Sequence, residues 1–367
     1  MTPDAPFSAG YRRVRGRLVL ADGKSFAGRS FGAGEGTGGE VVFNTGMVGY
    51  PEALTDPSYR GQILVFTFPS LGNYGVPMDG GGDGLGMMFE SDRIQVSGVI
   101  CARYSEEFSH HQAVRSLENW LESSGIPALT GIDTRALTQH LRNHGTLLGR
   151  IEFGRSEPSA WVDPNRRNLV REVSCREPRV FGRGRIEIGL IDCGAKYQLI
   201  RDLLRHDCRV TVLPWNTPFP RVRGMAGVVL SNGPGNPRMA RSSIEAVKKM
   251  MGAKIPILGI CLGHQLLALA AGARTFKLKF GHRSHNQPCL DLRTGRCYAT
   301  SQNHGFAVDP DRLPGDWEEW FRNANDGTNE GIRHRRLPFR SVQFHPEAHP
   351  GPGGTEWILE EFFAAIS

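Results

Sequence analysis

The sequence predicts an α/β protein with two domains: a β-rich mixed N-terminal domain, and a C-terminal mainly parallel sheet with helices on both faces. The chain is long enough for both, because 367 residues with 39% hydrophobic side chains can build two full cores. Short apolar runs separated by glycines dominate the first part, which favours β-structure. From Ile186 onward, strand-like and helix-like segments alternate, as is typical of a parallel sheet.

The N-terminal domain is predicted to span residues 1–153 and to open with a β-hairpin. Segments 17–20 and 25–28 are strand-like, and Asp22-Gly23 between them favours a tight turn. Asp133 is placed to cap a helix. No group of residues in this domain suggests a catalytic site. The apolar patterning predicts further strands over 40–43 and 62–68, and helices over 112–123 and 134–143.

Residues 154–185 contain three prolines and many arginines, and we expect them to form a connection over the surface. The C-terminal domain is predicted to span residues 186–367. In parallel sheets, ligands bind beyond the carboxyl ends of the strands, where Cys261 and segment 231–237 fall. The predicted strands are 186–192, 209–213, 227–231 and 255–260, and the predicted helices are 198–205, 242–251 and 262–271.

Cys261 has the sequence surroundings of an enzyme nucleophile. Gly259, Cys261 and Gly263 reproduce the spacing of a nucleophile elbow, a sharp strand-to-helix turn that exposes the nucleophile. The thiol would lie at a helix N-terminus, where the helix dipole stabilises a thiolate. A single buried cysteine is nevertheless more often part of a core, so a catalytic role requires a base elsewhere in the chain.

His345 and Glu347 are the candidates for that base and its partner. Segment 341–345 alternates like a short strand, and Pro346 stops it after His345. Glu347 follows closely enough to orient the imidazole and to stabilise its positive charge. Cysteine, histidine and glutamate together form a complete set of roles for nucleophilic catalysis.

Two further segments carry polar groups that suit a substrate. Segment 231–237 follows a buried strand; it can be a plain β-turn, or it can expose backbone N–H groups to an oxyanion together with the amide of Leu262. Segment 302–306 is predicted to be a glycine-containing loop whose side chains hold the amino and carboxylate ends of a substrate.

The sequence argues against metal, nucleotide and nucleic-acid binding by this chain. No glycine-rich stretch is followed by the Lys-Ser/Thr and helix of a P-loop. The net charge of +7 comes mostly from scattered arginines without interleaved aromatic residues, a pattern typical of solvated faces. One group of possible metal ligands matches no standard zinc spacing: His282, His285, Cys289, Cys297 and His304.

No apolar stretch approaches the length of a membrane span, and residues 1–17 lack the apolar core of a signal peptide. Seven cysteines at irregular spacing fit a reducing compartment better than a disulfide framework. We therefore expect a cytoplasmic protein with no membrane partner.

The chain resembles a known family of enzymes. Segments 259–265 (Gly-Ile-Cys-Leu-Gly-His-Gln), 345–347 (His-Pro-Glu) and 231–235 (Ser-Asn-Gly-Pro-Gly) together resemble the class I, triad-type glutamine amidotransferases. Segments 39–59, 131–138, 280–282 and 302–309 resemble the carbamoyl-phosphate synthase small chains. The resemblance covers nearly the whole chain, and it implies a class I amidotransferase fold for the C-terminal domain.

The resemblance also implies the site and its chemistry, hydrolysis of glutamine to glutamate and ammonia through a cysteine thioester. Cys261 would be the nucleophile, His345 the base and acid, and Glu347 its orienting group. At Gly46 the family usually has a serine that contacts glutamine, so only backbone contact remains there. The positions that match glutamine-binding residues of the family are Gly46, Gly233, Gly235, Leu262, Gln265, Asn303, Gly305 and Phe306.

Finally, the resemblance implies a partner. Ammonia would pass to an ATP-using large subunit that makes carbamoyl phosphate for arginine or pyrimidine biosynthesis, in a ligase built as a heterodimer or an assembly of heterodimers. ATP and Mg would bind to that subunit, and this chain would need no cofactor. Three alternatives stay open: an amidotransferase subunit of another synthase, a stand-alone γ-glutamyl hydrolase, and a structural or regulatory pseudo-glutaminase. Loss of Cys261 or His345 would favour the last, and both are present.

Overall fold

The computed structural model describes residues 14–78, 84–154, 159–347 and 350–366. The strands of the N-terminal part are β1 (Arg15–Leu20), β2 (Ser25–Ser30), β3 (Thr37–Asn44), β4 (Gln62–Phe66), β5 (Ser70–Leu71), β6 (Val76–Pro77), β7 (Gly98–Ile100), β8 (Arg103–Tyr104), β9 (Ala113–Arg115), β10 (Ala128–Thr130) and β11 (Leu147–Phe153). Its helices are α1 (Tyr50–Thr55), α2 (Leu117–Ser123) and α3 (Thr134–His144). Seven strands close a barrel in the order β1-β11-β3-β4-β7-β10-β2, and β5–β8 and β6–β9 form two small ribbons.

Strands β3 and β4 of the barrel are buried on both faces, which explains their apolar runs. Val41 packs in a cluster with Leu137 and Leu141 of α3, whereas its neighbour Val42 packs with Leu117 and Trp120 of α2. Because successive side chains point to opposite faces of a strand, the two clusters lie on opposite faces of β3. Closure of the barrel also leaves no unpaired sheet edge.

The C-terminal part is built on a ten-stranded sheet. Its strands are β12 (Arg179–Phe181), β13 (Ile186–Asp192), β14 (Cys208–Pro214), β15 (Gly227–Leu230), β16 (Ile257–Ile260), β17 (Arg274–Asp291), β18 (Cys297–Asp309), β19 (Trp317–Asn323), β20 (Asn329–His334) and β21 (Phe339–Val342). The helices are α4 (Val170–Val173), α5 (Tyr197–Leu203), α6 (Arg241–Gly252), α7 (Leu262–Ala271) and α8 (Trp357–Ala364).

The strand order in this sheet is β12-β14-β13-β15-β16-β21-β20-β19-β17-β18, and the run from β14 to β21 is parallel. Apolar side chains of α5 and α8 pack in one core cluster, and those of α6 and α7 pack in another. The predicted fold class is therefore confirmed. No helix within the described residues is long and apolar enough to cross a membrane.

Local sequence signals predict the elements well where turns and caps are strong. The hairpin of β1 and β2 is confirmed, and so is the helix capped by Asp133, whose carboxylate accepts a hydrogen bond from the Ala136 N–H. The helix predicted over 112–123 is wrong at its start, because β9 occupies Ala113–Arg115. Ser116 then caps the shorter α2 by accepting a hydrogen bond from the Asn119 N–H.

Three segments differ from the prediction. The expected connection 154–185 contains α4 and β12, which pairs with β14 at the edge of the sheet, and residues 155–158 lie outside the described ranges. The predicted loop 302–306 lies inside β18. Its polar side chains concealed the strand, because a buried hydrogen-bond network rather than an apolar face holds them. The strand predicted over 341–345 ends at Val342, and His345 makes an isolated bridge with Ser301.

Candidate active site

The turn between β16 and α7 is a nucleophile elbow. Cys261 lies between the two elements with φ 53° and ψ −103°, a strained backbone conformation for a residue with a side chain. A Cβ atom at Gly263 would lie 2.1 Å from the carbonyl oxygen of Leu230, and one at Gly259 would lie 2.6 Å from the carbonyl oxygen of Gly263. The turn therefore requires glycine on both sides of the cysteine.

His345 and Glu347 form a buried, hydrogen-bonded pair. The Nδ1–H of His345 donates to Oε1 of Glu347 at 2.6 Å. Burial alone would lower the pKa of His345, but the Glu347 carboxylate and the neighbouring Cys261 raise it above its usual range. Burial would raise the pKa of Glu347, but His345 and Lys196 lower it. The pair is therefore stabilised as an imidazolium next to a carboxylate.

The Cys261 sulfur and the second nitrogen of His345 are both buried. The thiol donates to the backbone oxygen of Asn303 at a sulfur–oxygen distance of 3.6 Å. Nε2 of His345 has no hydrogen-bond partner among the described residues. Cys261 raises the pKa of His345, so the two side chains interact, and Nε2 is the ring nitrogen that remains for proton exchange.

Lys196 is a buried cation next to the triad, and it is not among the site residues predicted from the sequence. Its Nζ lies 3.3 Å from Oε1 of Glu90 and 3.7 Å from Oε1 of Glu347. Burial would lower the pKa of Lys196, but these two carboxylates raise it. Buried charges persist when they are paired, so Lys196 helps to keep Glu347 ionised. No sequence signal marks this residue, because positions 90, 196 and 347 meet only in the folded chain.

Cys261 opens onto a cavity that we call the cysteine cavity. With one exception, Gly46, the structure brings every predicted glutamine-binding residue to its wall. Gly46 instead packs against the ring of His285. The lining includes Gly233, Gly235, Cys261, Leu262, Gln265, Asn303, Gly305 and Phe306.

The N-terminal barrel supplies part of the same wall, through Glu40, Gln62 and Thr146. Oε1 of Glu40 lies 2.5 Å from Nζ of Lys277 on β17. Burial would raise the pKa of Glu40, but the charges of Lys277 and Arg283 lower it. No sequence pattern in this domain indicates catalytic residues, since these positions become neighbours of Cys261 only when the barrel packs on the sheet.

A second cavity, which we call the histidine cavity, lies on the His345 side of the site. Its lining includes His345, Lys196, Glu90 and His285, and it shares Asn303 with the cysteine cavity. It also shares three wall residues, Gly49, Glu52 and Pro350, with an apolar groove at the surface. This surface groove is lined by Val48, Gly49, Pro51, Glu52, Tyr74, Pro77, Met88, His110, Gln112 and Pro350.

His282, His304 and Glu330 are buried, and one potential metal-ligand atom of each lies within 4.8 Å of those of the other two. All four histidine ring nitrogens already form hydrogen bonds: those of His282 with Gln302 and Asp326, and those of His304 with Gln302 and the backbone oxygen of Phe306. Burial would lower the pKa of His282, but Asp326 and Glu330 raise it to about 9. An oxygen atom therefore faces each of the four ring nitrogens, and the group forms a buried hydrogen-bond network that supports β18.

Two family models match the chain: carbamoyl-phosphate synthase small chain, CPSase domain, over residues 18–151, and glutamine amidotransferase class-I, over residues 189–365. The matched amidotransferase region contains the elbow and the His345–Glu347 pair. These observations define the class of the protein, a class I glutamine amidotransferase.

Relatives narrow the class. The arginine-specific small chain of carbamoyl phosphate synthase from Saccharomyces cerevisiae is 48% identical over 365 residues, covering 96% of this chain and 89% of that one. The multifunctional protein CAD from Squalus acanthias is 51% identical over 341 residues, covering 91% of this chain and 15% of that protein. The multifunctional protein URA2 from Saccharomyces cerevisiae is 45% identical over 405 residues, and the chain spans 18% of its length. The chain belongs to the carbamoyl-phosphate synthase small-chain family.

Proposed function

We propose that this chain is the glutaminase subunit of a glutamine-hydrolysing carbamoyl-phosphate synthase. It hydrolyses glutamine to glutamate and ammonia and passes the ammonia to an ATP-using large subunit. The observation that carries the proposal is the strained Cys261 elbow, which opens onto a polar cavity beside the buried His345–Glu347 pair.

In the first half of the reaction, the Cys261 thiolate attacks the side-chain amide carbon of glutamine. Negative charge moves to the amide oxygen, where the Leu262 N–H and the backbone of the 233–235 loop can stabilise it. The His345 imidazolium donates its proton to the departing nitrogen. The C–N bond then breaks, neutral ammonia leaves with the electron pair, and a γ-glutamyl thioester remains on Cys261.

In the second half, the neutral His345 accepts a proton from water while the water oxygen attacks the thioester carbon. The C–S bond breaks, and sulfur leaves as a thiolate. Glutamate loses its new carboxyl proton to solvent, and the imidazolium–thiolate state is restored. Glu347 and Lys196 support both halves, because the carboxylate stabilises the imidazolium and the lysine keeps that carboxylate ionised.

The cysteine cavity suits a free amino acid. Its wall carries a carboxylate, Glu40, and two cations, Lys277 and Arg283, so that it offers both charge signs to a zwitterion. Gln265 is held in place because its Nε2–H groups donate to the Phe306 backbone oxygen at 2.8 Å and to Gln343 Oε1 at 2.9 Å. The charges of both signs and the fixed Gln265 side chain in the cavity wall support glutamine as the substrate.

The histidine cavity supports a route for ammonia away from the triad. Ammonia formed at His345 would enter this cavity and reach the surface groove through the shared wall of Gly49, Glu52 and Pro350.

Met47 and Met78, next in sequence to groove residues Val48 and Pro77, are 77% and 71% exposed. Exposed apolar groups of this kind mark protein interfaces. We infer that the large subunit docks here, because ammonia released into bulk water would be protonated and lost as a nucleophile.

ATP and Mg belong, in this proposal, to the large subunit, and this chain needs no cofactor for thioester chemistry. The assembly is a heterodimer or a higher assembly of heterodimers that serves arginine or pyrimidine synthesis. All seven cysteines are unpaired, which supports a location in the reducing cytoplasm.

The test is the Cys261→Ser variant assembled with the large subunit. We expect glutamine-dependent carbamoyl phosphate synthesis to fall by about 10³-fold or more, because the hydroxyl is a far weaker nucleophile, while synthesis from added ammonia persists. Cys297→Ser, at an exposed cysteine, is the matched control and should leave both activities unchanged. Retention of glutamine-dependent synthesis by Cys261→Ser would overturn the proposal.

Glutamine hydrolysis by the purified chain, measured with and without the large subunit, separates the alternatives. A large increase on adding the partner supports a coupled subunit. Equal rates identify a stand-alone γ-glutamyl hydrolase, and no hydrolysis under either condition identifies a pseudo-glutaminase. Activation by a different synthase component, without carbamoyl phosphate formation, identifies an amidotransferase of another pathway.

A further inference from the structure

Gly46 is a glycine for a reason that lies outside its own backbone. The φ angle of Gly46 is not positive, so other amino acids can adopt its backbone conformation. The obstacle is the imidazole of His285, because a Cβ atom at position 46 would lie 2.6 Å from Cε1 and 2.9 Å from both ring nitrogens. Position 46 and the His285 ring therefore compete for one volume.

The local structure holds His285 in this place. β17 shifts register against β18 between Ser284 and Gln287, so His285 lies in an irregularity of the ladder. Such bulges redirect side chains and are common beside active sites. The facing segment is also anchored, because the Thr45 N–H donates to the Arg283 backbone oxygen at 3.1 Å and the Gly46 N–H donates to Asn44 Oδ1 at 2.6 Å.

The ring of His285 forms part of the wall of the histidine cavity, together with His345, Lys196 and Asn303. Burial and the nearby positive charge of Lys196 lower the pKa of His285 to about 4. The imidazole is therefore neutral at neutral pH, with one N–H donor and one acceptor nitrogen. A neutral ring can hydrogen-bond to ammonia and has no spare proton to give it.

We propose that Gly46 and His285 form a matched pair: the absence of a side chain at position 46 leaves room for the imidazole in the wall of the histidine cavity, so that the ring does not block the ammonia that leaves His345. His285 is thus a wall residue of this cavity rather than part of the catalytic machinery, and the inference rests on the proposed glutaminase function. A side chain at position 46 would push the His285 ring into the histidine cavity, and the displaced ring would obstruct the exit of ammonia.

The experiment is a double-mutant cycle on the chain assembled with its large subunit, with glutamine-dependent and ammonia-dependent synthesis measured side by side. Gly46→Ser should lower glutamine-dependent synthesis by about tenfold or more, because small displacements in an active site are costly. Ammonia-dependent synthesis should persist. His285→Gly should retain most activity, and Gly46→Ser combined with His285→Gly should recover most of the loss, because the serine then has room. Gly34→Ser is the matched control, since no atom lies within 4 Å of a Cβ there.

Two results would overturn the inference: full activity of Gly46→Ser, or a double variant no better than Gly46→Ser. If Gly46→Ser fails to assemble, the double variant still decides, because restored ammonia-dependent synthesis supports the steric pairing and continued failure rejects it. Failure of the underlying function is distinguishable, since it would appear as wild-type protein that hydrolyses no glutamine or as unaltered activity of Cys261→Ser.

Discussion

At the scale of single residues, the charges around His345 decide how the site works. Glu347 touches His345 directly, and Lys196 lies 3.7 Å from the same carboxylate oxygen. The result is a buried row of alternating charges that ends at the imidazolium. Burial alone would remove the proton from His345, so the protonated ring depends on its charged neighbours.

Glu347→Gln should therefore change both the rate and its pH dependence. We expect kcat for glutamine hydrolysis to fall by about 10²-fold, because an uncharged amide orients the ring less well and stabilises its proton less. Glu347 raises the pKa of His345, so its loss should lower that pKa and move the alkaline limb of the pH–rate profile to lower pH.

The control for this prediction is Glu245→Gln, which alters an exposed side chain paired with Lys248. It should leave the rate and the profile unchanged. An alkaline limb that stays in place in Glu347→Gln would show that Glu347 does not govern the protonation of His345.

At the scale of elements, the β16–α7 turn shows why glycines flank the nucleophile. The helix begins immediately after Cys261 and crosses so close to β15 that Gly263 meets the Leu230 backbone oxygen. A backbone oxygen cannot move aside as a flexible side chain can. The same close approach holds the thiol in its strained conformation at the start of α7.

Gly263→Ala should therefore destabilise the protein and disable the elbow. The added Cβ must displace β15 or α7, and we expect a loss of about 3 kcal/mol in the free energy of unfolding. Urea unfolding monitored by tryptophan fluorescence measures the change. Gly252→Ala, near the end of α6 with no atom within 4 Å of its Cβ, should be neutral or slightly stabilising. Equal stability of the two variants would refute the steric argument.

At the scale of the whole molecule, the active site depends on contact between the barrel and the ten-stranded sheet. Glu40 on β3 reaches Lys277 on β17, and Asp56 accepts a hydrogen bond from the Asn303 amide at 2.9 Å. Asn232 likewise donates to Ser58 Oγ at 3.1 Å. These contacts align the barrel wall of the cysteine cavity with the elbow.

Glu40→Gln should weaken this alignment. Removing the charge leaves the buried Arg283 without its anionic neighbour, and we expect a loss of about 2 kcal/mol in the free energy of unfolding and a higher KM for glutamine. The Glu40 pKa in the folded protein is lower than its usual 4.5. Its charge therefore contributes stability above about pH 4.5, which is lost as the pH falls through the lowered value.

Urea unfolding of wild type and Glu40→Gln at several acidic pH values tests this claim, and the difference between them should shrink as the pH falls. Glu245→Gln again serves as the control and should cost less than about 0.5 kcal/mol. A stability difference between wild type and Glu40→Gln that does not depend on pH would contradict the role assigned to the Glu40 charge.

The sequence by itself determined the parts of this protein that rest on local rules. Glycine spacing, apolar runs and caps are short-range signals, so they predicted the elbow at Cys261, the alternation of strands and helices, and the His345–Glu347 pair. Only the tertiary structure decided which distant side chains meet, such as Glu40 with Lys277, Glu90 with Lys196, and Gly46 with His285. Packing of the barrel on the sheet creates these contacts, and no local pattern records them, because each partner satisfies the backbone rules of its own element equally well without the other.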